Sequence, residues 1–144
     1  MNERVRPPAQ LEKNVLDRIA GPNATDKIFS TKAKGVLFAG VLGFSLGKSH
    51  RKPIDAYGEG IRVEYFEEDV KIIDMIAIAD SEDLNIIADA KYRDAVQIFE
   101  EYVHGGLVRI QEVCFSGERP PIEGLMMLLD RTSDSDDESL PGLI

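Results

Sequence analysis

Residues 35–46 read Gly-Val-Leu-Phe-Ala-Gly-Val-Leu-Gly-Phe-Ser-Leu, the longest apolar run in the chain. A membrane span needs about 20 such residues, so a run this short reads as a buried helix. Ser30 and Thr31 stand ahead of it, and either hydroxyl can accept a hydrogen bond from an orphan N–H of the first turn. Gly47 follows it, where a left-handed residue ends a helix. Val36, Leu37, Phe38, Val41, Leu42 and Phe44 leave no polar face. A helix of that kind is predicted at the centre of the core, with Val36 to Phe44 the most buried segment. Gly35, Gly40 and Gly43 weaken the helix but let a neighbouring backbone come close.

Outward from this run, Leu11, Val15, Leu16 and Ile19 recur at helical spacing until Gly21-Pro22. Gly47 to Gly60 reads as a loop. Ile61 to Phe66 alternates apolar and polar residues as a strand does, but with no strand to pair with it reads equally as an extended loop. Asp69 to Ala79 is expected to be helical, and Asp83 to Ala88 a short helical turn. Lys91 to Phe115 is expected to be the longest helix, with Val96, Phe99, Tyr102, Val103, Leu107, Ile110 and Val113 in register. Gly105-Gly106 in its middle is a pair that can bend or break it. Pro120-Pro121 opens a last helix, Ile122 to Arg131. The fold class expected is all-α, a compact bundle of about five helices around a buried central one. The domain would cover 10–131, between a flexible N-terminus over 1–9 and a disordered tail over 132–144. Asp134, Asp136, Asp137 and Glu138 give that tail one-signed charge and little to bury.

The 144 residues are 43% hydrophobic and 30% charged, the composition of one globular domain with a sizeable core. The single cysteine, Cys114, forbids an internal disulfide and suits a reducing cytosol. The first ten residues lack the apolar stretch of a signal peptide, so a cytoplasmic protein without a membrane anchor is expected. The net charge of −9 is unevenly spread. Residues 1–60 carry ten Lys/Arg against six Asp/Glu, and residues 61–144 carry seven against twenty. Such asymmetry suits two faces for different partners, or two halves that neutralise each other in the fold.

Three motifs suggest chemistry. Gly43-Phe-Ser-Leu-Gly47-Lys48-Ser49 approaches a phosphate-binding loop, and Met75-Ile-Ala-Ile-Ala-Asp80 imitates the strand that ends in a magnesium-binding aspartate. The loop is one residue short, because Leu42 stands where the first glycine belongs, and the chain lacks the alternating strands and helices of a nucleotide fold. Glu101-Tyr-Val-His104 places two metal ligands on one helix face, but the other histidine, His50, lies in the basic loop and cannot complete a di-iron set. Surface neighbours, or a cap on the break at Gly105, is the plainer reading. Cys114 sits among apolar residues, as a free cysteine acting as a small hydrophobe does. Adjacent carboxylates such as Glu67-Glu68-Asp69 and Glu100-Glu101 diverge on a helix and are normally solvated. No catalytic residue, metal site or cofactor is expected, and the chain reads as not an enzyme.

Lys32, Lys34, Lys48, Arg51 and Lys52 flank the two ends of the apolar run and are the candidate nucleic-acid-binding residues. Lysine and arginine are what phosphate contacts need. The competing readings are ordinary surface lysines, docking to an acidic protein surface, or cations stabilising the C-terminal end of the helix before Gly47.

The chain resembles the small proteins encoded beside bacterial DNA phosphorothioation (Dnd sulfur-modification) genes, the fourth-named family of that group. The resemblance is carried by Phe29, Lys34 with the run from Val36 to Phe44, the Arg51-Lys-Pro53 loop, Ile61-Arg-Val-Glu-Tyr-Phe66, Met75-Ile-Ala-Ile-Ala79 and Ile98-Phe-Glu-Glu-Tyr-Val-His-Gly-Gly-Leu107. Before Gly105 the family typically reads Tyr-Ala-Asn where this chain has Tyr102-Val-His104. The resemblance implies a setting in restriction-modification and antiviral defence, and supplies no catalytic residues. Within that setting the expected function is an accessory or adaptor protein whose partners are larger proteins of a DNA-modification or restriction complex. The alternative is a small nucleic-acid-binding module that contacts DNA through the basic loop.

Overall fold

The computed structural model describes residues 3–129, so the tail expected over 132–144 lies outside the described residues. The architecture is all-α. Helix α1 covers residues 9–19, where a π-helical turn at Glu12–Leu16 joins helical turns at Ala9–Leu11 and Asp17–Ile19. Helix α2 is Lys32–Leu46, α3 is Val70–Ser81, α4 is Tyr92–Cys114 and α5 spans 121–129. Thr31 caps α2, its hydroxyl accepting from the Lys34 N–H at 3.2 Å. Glu82 ends α3 in the left-handed conformation at φ 57°, its N–H donating to the Ile78 carbonyl at 2.7 Å. Short 3-10 segments at Lys48–His50, Val63–Asp69 and Leu84–Ile87 turn the chain between helices.

The central helix is α4 rather than α2. Ile98 to Val103 are six consecutive buried residues, which requires neighbours on every side of that helix. Val41 and Phe44, expected at the heart of the core, are 41% and 36% exposed. Glycine explains the inversion. A Cβ on Gly43 would overlap the Tyr102 carbonyl oxygen, one on Gly106 the Ala39 carbonyl oxygen, and one on Gly40 the Phe99 ring. Thus α2 meets α4 through its small-residue face, and some of its large side chains are displaced toward solvent. Gly105-Gly106 does not break α4, and there too the missing side chains serve close approach.

The N-terminal stretch expected to be flexible carries a short strand. Arg4–Val5 pairs antiparallel with Ile61–Arg62, and the Val5 side chain is fully buried. The alternating run at Ile61 therefore does find a partner strand, but only for two residues before Val63–Asp69 coils into 3-10 turns. Val5 and Ile61 point into the same core as Leu16, Ile19, Ile73, Phe99 and Leu107.

Candidate functional site

The loop after α2 is bound down onto α3 and α4. Arg51 donates from Nη1 to Asp80 Oδ2 at 2.5 Å and from Nε to Glu101 Oε1 at 2.6 Å. The hydroxyl of Tyr102 donates to the other oxygen of Asp80, also at 2.5 Å. Lys48 Nζ donates to the Asp80 carbonyl at 3.2 Å, and the Lys52 N–H to the Glu101 carbonyl at 3.1 Å. His104 Nδ1 lies 3.0 Å from the Pro53 carbonyl and 3.3 Å from that of Lys52, so the ring nitrogen is the donor to both. The Glu-x-x-His step thus holds a loop: Glu101 accepts from the Arg51 guanidinium, and His104 faces the carbonyls of Lys52 and Pro53.

These contacts set the titration of the cluster. Burial works to lower the Arg51 pKa, but the hydrogen bond to Glu101 and the charges of Glu101 and Asp80 outweigh it and raise it. Burial and the hydrogen bond to Asp80 push the Tyr102 hydroxyl up to about 12.

Two other charged residues of the candidate set behave differently from each other. Lys32 bridges Glu12 at 2.6 Å and Asp17 at 3.3 Å. Burial opposes its charge, but the two carboxylates of α1 raise its pKa overall. Glu12 also accepts from the Glu59 N–H at 3.2 Å, which ties α1 to the far end of the loop. Lys34 is exposed, and its ammonium has no hydrogen-bond or ion-pair partner among the described residues. The structure therefore does not gather the five basic residues into one surface. Lys32 faces α1, Arg51 and Lys48 face α3 and α4, and Lys34 stands at the opposite end of α2 from the loop.

A second cluster anchors the N-terminal strand. Glu100 is fully buried, accepts from the Arg6 N–H at 2.7 Å and pairs with Arg93 at 2.5 Å. Arg93 continues to Glu3 at 3.0 Å, and Arg6 lies over the Tyr57 ring at 3.9 Å. Burial pushes the Glu100 carboxyl up, and the two arginines only partly restore it.

The phosphate-loop reading fails on topology. Gly43 lies inside α2 and Gly47 at its C-terminal end, so helix carbonyls rather than N–H groups face the Lys48 turn. Asp80, which imitated a metal-binding aspartate, is capped by Arg51 and Tyr102. No group of His, Cys, Asp and Glu suited to a metal ion occurs among the described residues. Cys114 is buried, and that burial pushes its thiol up to about 11.

Sequence reasoning overlooked Asp80, Glu100, Glu101 and Tyr102 as partners of the basic residues. A signal existed: Asp80 falls seven residues after Ile73 and four after Ile76, and Glu100 falls four after Val96, positions on inward faces. A carboxylate in register with core residues announces a buried cation partner.

What the fold and these clusters define is a small all-α domain whose buried charges fasten loops and termini to one central helix. Residues 4–141 match the family described as DNA sulphur modification system-associated protein 4, and the chain belongs to that family. Its role is thereby linked to a DNA sulphur modification system. No curated protein and no solved structure matches the chain.

Proposed function

We propose that the chain is a non-catalytic accessory or adaptor component of a DNA sulphur modification or restriction system, acting by protein–protein contact in the bacterial cytoplasm as part of defence against foreign DNA. The observation that carries this is the outer face of α5. Leu125 and Leu128 are buried, while Ile122, Met126 and Leu129 stand exposed four and three residues apart, on one further face of the same helix. A second apolar row on a surface helix suits a protein partner. No helix among the described residues is long and apolar enough to cross a membrane.

Direct DNA binding is the second reading, and it would rest on Lys34, Lys48 and Lys52. Arg51 and Lys32, the other two candidates, already have carboxylate partners inside the fold. The test is light scattering and calorimetry of the purified chain with the larger proteins of the system, alongside DNA titration at low and high salt. The adaptor reading expects a stoichiometric complex with at least one of those proteins and no salt-sensitive DNA affinity. DNA binding with a steep salt slope, and no protein complex, would reverse it.

A further inference from the structure

The 3-10 segment Val63–Asp69, helix α3, the turn Leu84–Ile87 and the start of α4 border an open groove of about 330 Å³. It is lined by Val63, Glu64, Val70, Asp74, Ile87 and Tyr92. Four of these present hydrocarbon or ring surface, and two present carboxylates. The Tyr92 hydroxyl donates to Asp74 Oδ1 at 2.7 Å, which fixes that carboxylate in place. Asp74 Oδ2 and both oxygens of Glu64 have no hydrogen-bond or ion-pair partner among the described residues. Apolar surface continues beyond the groove on the same elements. Met75, next to Asp74, is 67% exposed, and Leu84, on the turn that carries Ile87, is 74% exposed.

We propose that this groove docks a basic side chain, an arginine above all, projecting from a protein partner. An arginine has an apolar stem and a planar cationic head, and the groove offers apolar walls and two carboxylates without a cation partner among the described residues for those two parts. The surrounding charge points to the same occupant. Residues 63–94, which build the groove, carry ten Asp/Glu against Lys71, Lys91 and Arg93. That field repels nucleic acid and steers a basic protein surface toward the groove. The inference deepens the adaptor reading and rests on it.

The experiment compares wild type with Glu64→Gln and with the double variant Glu64→Gln, Asp74→Asn, each titrated with the larger proteins of the modification system at low and high salt. The double variant is expected to bind at least about tenfold more weakly at low salt, with a smaller salt dependence. Glu64 is exposed and unpartnered, so Glu64→Gln alone keeps the comparison readable if Asp74→Asn disturbs Tyr92; it is expected to reproduce part of the loss. Undiminished binding by both variants overturns the groove while the adaptor reading stands. A wild-type protein that binds none of the system's proteins removes both. Self-association that the double variant abolishes also overturns the proposal, because the occupant would then be a second copy of this chain.

Discussion

The guanidinium of Arg51, in the α2–α3 connection, and the carboxylate of Asp80, near the end of α3, meet at 2.5 Å. The Asp80 side chain is almost wholly buried, whereas that of Arg51 is about a third exposed. Arg51 therefore neutralises a charge that the fold has already taken out of water. We expect Asp80→Ala to cost about 2–4 kcal/mol, because it strands the Tyr102 hydroxyl as well as Arg51. Arg51→Glu, which sets a third carboxylate beside Asp80 and Glu101, should lower the denaturation midpoint more than Lys52→Glu does. Chemical unfolding of the variants checks both. Equal stability of Arg51→Glu and wild type would return Arg51 to the role of a free phosphate-seeking cation.

The α2–α4 crossing predicts a sharp contrast among glycines. Gly106→Ala directs a methyl group at the Ala39 carbonyl, and Gly43→Ala directs one at the Tyr102 carbonyl. Backbone cannot move aside as a side-chain tip can, so each variant should lose about 3 kcal/mol or fail to fold. At Gly117 a Cβ meets nothing within 4 Å and the backbone φ is unstrained, so Gly117→Ala should stay within about 0.5 kcal/mol of wild type. Thermal melts of the three variants decide it. A tolerated Gly106→Ala would mean that the helices do not cross this closely.

Much of the fold was legible because hydrophobic period reports burial. The helices at Lys32, Val70 and Tyr92 begin within about three residues of where the pattern places them, the usual scatter of helix ends. The choice of central helix was not legible. A uniformly apolar helix and a glycine-faced one have similar composition, and only the packing shows that Gly40 and Gly43 form the interface. The two-residue ladder was hidden for a different reason: Arg4–Val5 is too short to show a period, and its partner lies 56 residues away at Ile61. The basic residues were visible as charges, but their destinations depend on long-range partners such as Glu101 and Asp80, which sequence spacing does not encode.

Cys114 should be silent toward thiol reagents in the folded protein. Burial shields the sulfur and pushes its pKa up to about 11, so the thiolate population at neutral pH is small. Labelling with iodoacetamide at neutral pH should proceed only through unfolding and accelerate with denaturant as the unfolded fraction grows. Prompt labelling of the native protein would show that the α4–α5 end of the core opens locally.

The final expectation is alkaline weakening of the fold through Tyr102. A tyrosine in the unfolded chain titrates near pH 10, whereas burial and the bond to Asp80 hold Tyr102 protonated up to about 12. Between those values the folded protein keeps a proton that the unfolded chain has released. The native state then binds more protons, so unfolding free energy falls as pH rises, by up to about 1.4 kcal/mol per pH unit for one such group. The stabilisation is fully present below pH 10 and is lost progressively as pH climbs through the folded value. Tyr92, buried and bonded to Asp74, is displaced in the same direction and adds to the slope. Lysines also titrate in this range, so the informative quantity is a difference between proteins. Tyr102→Phe should be less stable at neutral pH, by about 1–2 kcal/mol for the lost hydrogen bond to a buried carboxylate. Its stability should also fall less steeply between about pH 9.5 and 11.5, by close to one proton. Urea unfolding of both proteins across that range measures the two slopes. Parallel slopes would mean that burial and the bond to Asp80 do not hold the Tyr102 hydroxyl protonated in the folded protein.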